Sequence, residues 1–295
     1  YIMSDTKYKV NGKDLIDIFA PYSSGSPAPI TYYKLPNGSD LNTIFAPYVI
    51  GNPQAITTGY KSNSLDLNTF FKALLYKATG TYTTTSGSIE GVNYDTILTF
   101  TNPSSTTDSF TSYTIPTINY LIVGGGGSGG DFQQNPTISR YCSGGGGGGG
   151  QVQNGSFNPI LTTPYSLTVG NYNVNSNAFG ITANKGSKGG QGDISSNNKG
   201  GNGGNSGSGN SGSVINNNNN TGGGGGGNGS AAPSNSSTPG TGTTFNSITY
   251  GTGGTGGGSG TSGLSNTGNG GNGGNNVKAT GGNGGSGIII LYFNV

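Results

Sequence analysis

Gly268-Asn269-Gly270-Gly271-Asn272-Gly273-Gly274-Asn275 places asparagine at every third position. The same spacing recurs at Thr252 and Thr255, at Asn202 and Asn205, and at Asn283 and Ser286. Of the 62 glycines, all but Gly12, Gly25, Gly38, Gly51, Gly59, Gly80, Gly87 and Gly91 fall within residues 124–287. A flexible linker would scatter its glycines, whereas these come in blocks with a period. A period of three matches neither the α-helix at 3.6 residues nor the strand at 2. It matches a polyproline-II-type helix, which has no internal hydrogen bonds and must bond to its neighbours or to water. The expectation is a bundle of glycine helices, with glycine on two faces and Asn, Thr or Ser turned outward on the third. Collagen is excluded, because the period is Gly-Gly-X and proline is sparse.

Apolar segments frame this region. Tyr120-Leu121-Ile122-Val123 runs into it and Ile288-Ile289-Ile290-Leu291-Tyr292-Phe293 leaves it. Thr96-Ile97-Leu98-Thr99-Phe100-Thr101 alternates and is β-branched, and residues 109–115, 118–123, 165–169, 178–183, 244–250 and 287–293 have strand spacing. They predict a small antiparallel β-sandwich framing the glycine helices, so that residues 79–295 form one mostly β domain.

Residues 1–78 read as a second domain made of 26-residue repeats. Asp14-Leu15-Ile16-Asp17-Ile18-Phe19-Ala20-Pro21-Tyr22 returns as Asp40-Leu41-Asn42-Thr43-Ile44-Phe45-Ala46-Pro47-Tyr48, and then in part as Asp66-Leu67-Asn68-Thr69-Phe70-Phe71-Lys72. Repetition at 20–50 residues signals a stacked array. Each unit predicts a short helix capped by its aspartate and stopped by proline, with Asn11-Gly12 or Asn37-Gly38 as the preceding turn. The shared core of this array would be Leu15, Ile18, Phe19, Leu41, Ile44, Phe45, Leu67, Phe70 and Phe71.

Composition bounds the chemistry. Charged residues are 7% and hydrophobic ones 29% of 295 residues, with a net charge of +2. That charge argues against nucleic acid as a partner. No apolar run reaches membrane-spanning length. Histidine is absent and Cys142 is the sole cysteine, which excludes a Ser-His-Asp relay and the usual zinc sites. Gly126-Gly127-Ser128-Gly129-Gly130 has the letters of a nucleophile elbow, and Gly207-Ser208-Gly209-Asn210-Ser211-Gly212 those of a dinucleotide loop. The first lacks its histidine, and the second follows no strand. The carboxylates do not pair at catalytic spacing. No enzyme, no cofactor and no metal site is expected.

The chain resembles two kinds of sequence. Residues 8–76, through Asp-Leu-Asn-x-Ile-Phe-Ala-Pro-Tyr, resemble tandem repeats of surface proteins of large DNA viruses and some phages. Tyr120-Leu121-Ile122-Val123-Gly124-Gly125-Gly126-Gly127, Tyr165-Ser166-Leu167-Thr168-Val169-Gly170, Phe179-Gly180-Ile181-Thr182-Ala183 and Gly284-Gly285-Ser286-Gly287-Ile288-Ile289-Ile290 carry the second resemblance. Over residues 79–295 they resemble the glycine-rich domain of phage tail adhesins and viral surface proteins. That resemblance implies a structural protein at a virion surface or fibre tip, extracellular, with variable loops meeting a cell-surface receptor or glycan. The repeats would dock onto other virion proteins. Recognition concentrates on loops held by a rigid scaffold, so the contact candidates are Phe132 and Tyr141 in residues 132–142, and Asn217 and Asn219 in residues 214–220. Apolar strands such as 288–293 predict self-association through sheet edges, as a homo-oligomer, most simply a trimer or a filament. Two other readings are kept. One is an ice-binding protein using rows at Thr252/Thr255 and Asn269/Asn272/Asn275. The other is a filament subunit that assembles without a receptor.

Overall fold

The structure is a computed structural model. It describes residues 9–10, 13–14, 61–62, 65–66 and 75–294, apart from 104–107, 136–139, 196–198, 217–219 and 278. The chain divides into two compact units, one of Tyr1–Lys77 with Val295 and one of Ala78–Asn294.

In the first unit the described residues before residue 75 form two small hairpins. Strands β1 (Lys9–Val10) and β2 (Lys13–Asp14) pair antiparallel, as do β3 (Lys61–Ser62) and β4 (Leu65–Asp66). Asp14 and Asp66, read from the sequence as helix caps, stand instead in paired strands. The proposed apolar stripe of Leu15, Ile18, Phe19, Leu41, Ile44, Phe45, Leu67, Phe70 and Phe71 lies outside the described residues.

The second unit is built on two five-stranded sheets. Its elements are β5 (Tyr76–Thr79), β6 (Tyr82–Ile89), β7 (Val92–Phe100), β8 (Ser109–Ser112), β9 (Ile118–Val123), β10 (Gln133–Asn135), β11 (Arg140–Cys142), β12 (Val152–Phe157), β13 (Pro164–Thr168), β14 (Ser176–Ala178), β15 (Ile181–Ala183), β16 (Thr243–Phe245), β17 (Ile248–Tyr250) and β18 (Ile288–Phe293). One sheet has the order β12-β9-β18-β7-β6 and the other β15-β14-β13-β8-β5. They meet through aromatic rings. Phe110 of β8 lies edge-on to Phe293 of β18 at 5.8 Å, and Phe157 of β12 stacks on Phe179 at 4.6 Å.

Strand β18 explains its own composition. Ile289, Leu291 and Phe293 point to the inter-sheet core beside Ile122, Leu98 and Phe100. Ile288, Ile290 and Tyr292 point the other way, where the β16–β17 hairpin covers them with Phe245 and Tyr250. A strand buried on both faces reads as an unbroken apolar run. It lies between β9 and β7, so this strand itself offers no edge for self-association. The edges of its sheet are β12 and β6.

Thr96 is the anomaly in this core. It is fully buried opposite Phe293, and its hydroxyl has no hydrogen-bond partner among the described residues. A buried hydroxyl left unbonded loses its hydration without return. Thr96→Val is therefore expected to stabilise the unit by about 1 kcal/mol. A urea midpoint that stays put or falls would show that the hydroxyl is satisfied.

The glycine segments are neither helix nor strand. The named elements are all strands in antiparallel sheets, and this overturns both the glycine-helix bundle and the array of helix-turn repeats. A period of three requires only that every third residue meet the same neighbour, and here the bonds run between segments. Residues 143–151 sit at the centre. Gly144, Gly147 and Gly150 donate N–H to Gly274, Gly271 and Gly268 at 3.0, 2.8 and 2.7 Å. Gly145, Gly148 and Gln151 donate to Gly190, Ser187 and Asn184, while Ser143, Gly146 and Gly149 donate to Asn220, Gly223 and Gly226. Their carbonyls accept in the same rotation. Gly130, Gly127 and Gly124 supply one set, Gly201, Gly204 and Gly207 a second, and Gly257 and Gly254 a third. This segment is thus enclosed on every side, and a Cβ on any residue from Gly144 to Gly150 would lie about 2 Å from a neighbouring carbonyl oxygen.

The number of glycine rows in a segment follows its place in this lattice. Residues 144–150 and 222–227 are uninterrupted glycine and wholly buried. Gly-Gly-X segments such as 268–275 leave one row partly open. In residues 185–192 only Gly186, Gly189 and Gly192 form the buried row, with Lys185, Ser187, Lys188 and Gln191 exposed.

Candidate functional site

The lattice has two ends. At one, Gly124 follows β9 directly and bonds to Gln151, which precedes β12. At the other, Gly130 bonds to Gly145, and the chain between them includes β10 and β11. Backbone and side-chain bonds carry residues 193–195, 199, 216, 220, 257–260, 275–277 and 279 to this same end.

These connections are cross-braced by polar bonds. Phe132 N–H donates to Ala279 O at 2.7 Å, and Gly281 N–H donates to Asp131 Oδ1 at 2.9 Å. Ser143 N–H donates to Asn220 O at 2.9 Å. The Cys142 thiol is buried and donates to Asp193 O at 3.2 Å. Asp193 and Lys199 exchange backbone bonds at 2.7 and 2.8 Å. The Ser195 hydroxyl and backbone N–H both donate to Asp193 Oδ1 and hold its carboxyl below the usual range. Asn275 Oδ1 accepts Val277 N–H at 2.9 Å, and Asn275 Nδ2 donates to Gly257 O at 3.1 Å.

Strands β10 and β11 pair antiparallel, with Gln134 opposite Tyr141. Tyr141 is 53% exposed, and Phe132 is half-buried at the hairpin's base. Asn217 and Asn219 lie outside the described residues, though the neighbouring Asn220 is at this end. Val277, 84% exposed, stands at the same end; sequence reasoning missed it. The available signal was the break in the Gly-Gly-X period at Asn275-Asn276-Val277.

Elsewhere the surface offers less. A half-open groove of about 210 Å³ between the β16–β17 hairpin and its sheet is lined by residues such as Ile89, Ile97, Phe245 and Tyr250, with no carboxylate or cation. Ser128 of the elbow-like motif accepts a bond from Asn173 Nδ2 at 3.1 Å. Among the described residues no cluster of three His, Cys, Asp or Glu could hold a metal ion, and no helix is long and apolar enough to cross a membrane.

A family model described as a glycine-rich domain matches residues 104–294. No curated protein matches the chain.

Proposed function

The chain belongs to the glycine-rich domain family, and from that membership together with the loop-bearing end of its lattice we propose that it is a structural surface or fibre protein whose end loops contact a receptor. The setting is extracellular, at a virion or fibre surface of the kind its sequence resembles. The receptor is a cell-surface protein or glycan. The chain works as a homo-oligomer, with the segment before residue 78 docking onto other virion proteins. One observation carries the reading: residues 132–135, 140–142, 193–195, 199, 216, 220, 257–260, 275–277 and 279 meet at one end of a backbone-bonded base. Such a base loses little further order on binding, so the loops carry a small entropic cost.

The ice-binding alternative draws less support. Its asparagine row is turned to internal use, since Asn269 and Asn272 Oδ1 accept the N–H groups of Thr252 and Thr255 at 3.0 and 2.8 Å.

The test compares exposed residues at the loop end with one away from it. Wild-type chain is screened on a glycan array and on immobilised cell-envelope fragments. A Tyr141→Ser/Val277→Ser variant is expected to lose roughly tenfold or more in affinity, since tyrosine is among the residues that carry most of an interface's binding energy. Leu264→Ser, 69% exposed on another segment, is expected to bind as wild type. Equal binding by both variants, or no surface bound by wild type, defeats the proposal.

A further inference from the structure

We propose that Asn283–Gly284 is the point at which the glycine lattice is spontaneously modified, by cyclisation of the asparagine side chain onto the following backbone nitrogen. The chemistry needs no partner except water. The Gly284 nitrogen attacks Asn283 Cγ, the N–Cγ bond forms, and the Cγ–Nδ2 bond breaks. Nδ2 leaves as ammonia and takes up the proton from the backbone nitrogen. Water then opens the succinimide at either carbonyl, giving aspartate or β-linked isoaspartate. Glycine favours the attack because it has no Cβ in the way. Two conditions remain: the backbone N–H must be unbonded, and the side chain must be free to rotate onto it.

The described Asn–Gly pairs are Asn154, Asn202, Asn228, Asn269, Asn272 and Asn283 with their glycines. Most are held at both groups. Gly270 N–H donates to Thr252 O while Thr252 N–H donates to Asn269 Oδ1, at 2.8 and 3.0 Å, so one threonine brackets the pair. Thr255 brackets Asn272–Gly273 in the same way, at 2.9 and 2.8 Å. Gly203 N–H donates to Ser213 O, and Asn202 Oδ1 accepts Ile215 N–H. Gly229 N–H donates to Thr241 O, and the Asn228 amide bonds Val152 N–H and Thr243 Oγ1. Gly155 is paired with Tyr120 in the β12–β9 ladder. Asn283 differs. It is exposed, and among the described residues its side chain makes no hydrogen bond and Gly284 N–H has no acceptor.

The consequence falls on the lattice. Gly282 and Gly285, on either side, donate to Asn272 and Asn269 at 2.8 and 2.7 Å. An isoaspartate at 283 adds a backbone methylene between them, so both bonds can no longer keep their register.

The test is native incubation of the full chain at mildly alkaline pH, with peptide mapping for aspartate and isoaspartate. Bracketed pairs react only through local opening, so Asn283 is expected to convert roughly tenfold or more faster than Asn269 or Asn272. In the urea-unfolded chain the three should react at similar rates. Asn283→Gln is expected to remove the fast native phase. Equal native rates at the three positions, conversion led by Asn272, or no native product at Asn283 each overturn the proposal.

Discussion

Gly147→Val is expected to collapse the lattice, with the protease resistance of residues 124–287 lost. The added Cβ would meet Gly127 O at 2.0 Å. Backbone cannot rotate aside as a flexible side chain can, so the segments must separate. The bonds from Gly147 to Gly271 and from Gly254 to Gly147 then fail, together with those of Gly146 and Gly148 to Gly223 and Ser187. At about 0.5–1.5 kcal/mol net for each, the loss is roughly 2–6 kcal/mol before repacking strain is added. A valine scan of residues 268–274 gives the internal comparison. Gly271→Val should be severe, since its Cβ would lie 2.2 Å from Gly282 O. Asn272→Val should cost about 1 kcal/mol, because Thr255 N–H loses its acceptor but no backbone is displaced. From the sequence alone Asn272 is an outward and tolerant position. The structure makes it half-buried and bonded. Wild-type melting of Gly147→Val would show that residues 144–150 are not enclosed.

Phe110→Ala is expected to destabilise the β unit by about 3–5 kcal/mol, the usual loss for an enclosed aromatic ring. Phe110 is fully buried between the sheets and lies edge-on to both Phe293 and Phe179, at 5.8 and 6.2 Å. The cavity would open where the two sheets touch, so the glycine lattice should lose protection in the same transition. Denaturant unfolding followed by tyrosine fluorescence and by proteolysis reads both. A shift in the urea midpoint worth less than about 1 kcal/mol would place Phe110 outside the core.

Much of the β framework was legible because its signals are local. Alternation and β-branching at 96–101 marked β7, and the apolar runs at 118–123 and 288–293 marked β9 and β18. Two chemical features were not legible. A helix cap and a hairpin residue can both be aspartate, and Asp14 and Asp66 are held by cross-strand partners. Likewise an asparagine at every third position shows a repeating environment without showing whether the amide faces water or a neighbouring N–H.

The candidate site divides in the same way. Phe132 and Tyr141 stood out as large side chains in a break between glycine blocks, and the structure places both at the loop-bearing end. Nothing local joins that break to Asp193, Lys199 or Ala279. Their meeting depends on bonds such as Phe132 to Ala279 and Cys142 to Asp193, between positions far apart in the chain.

By itself the sequence determined which residues can be enclosed. Three glycine rows permit contact on every side, two leave one side open, and one row suits the outside, because a Cβ needs room that a close-packed backbone does not leave. Only the tertiary structure decided which segment lies against which. One glycine row fits any other, so the pattern contains no address. The address comes from the sheets: β9 delivers Gly124, β12 receives Gln151 and β18 receives Gly287. Pairing β9 with both β12 and β18 pins these segment ends side by side, and the backbone bonds extend that register outward to the loops.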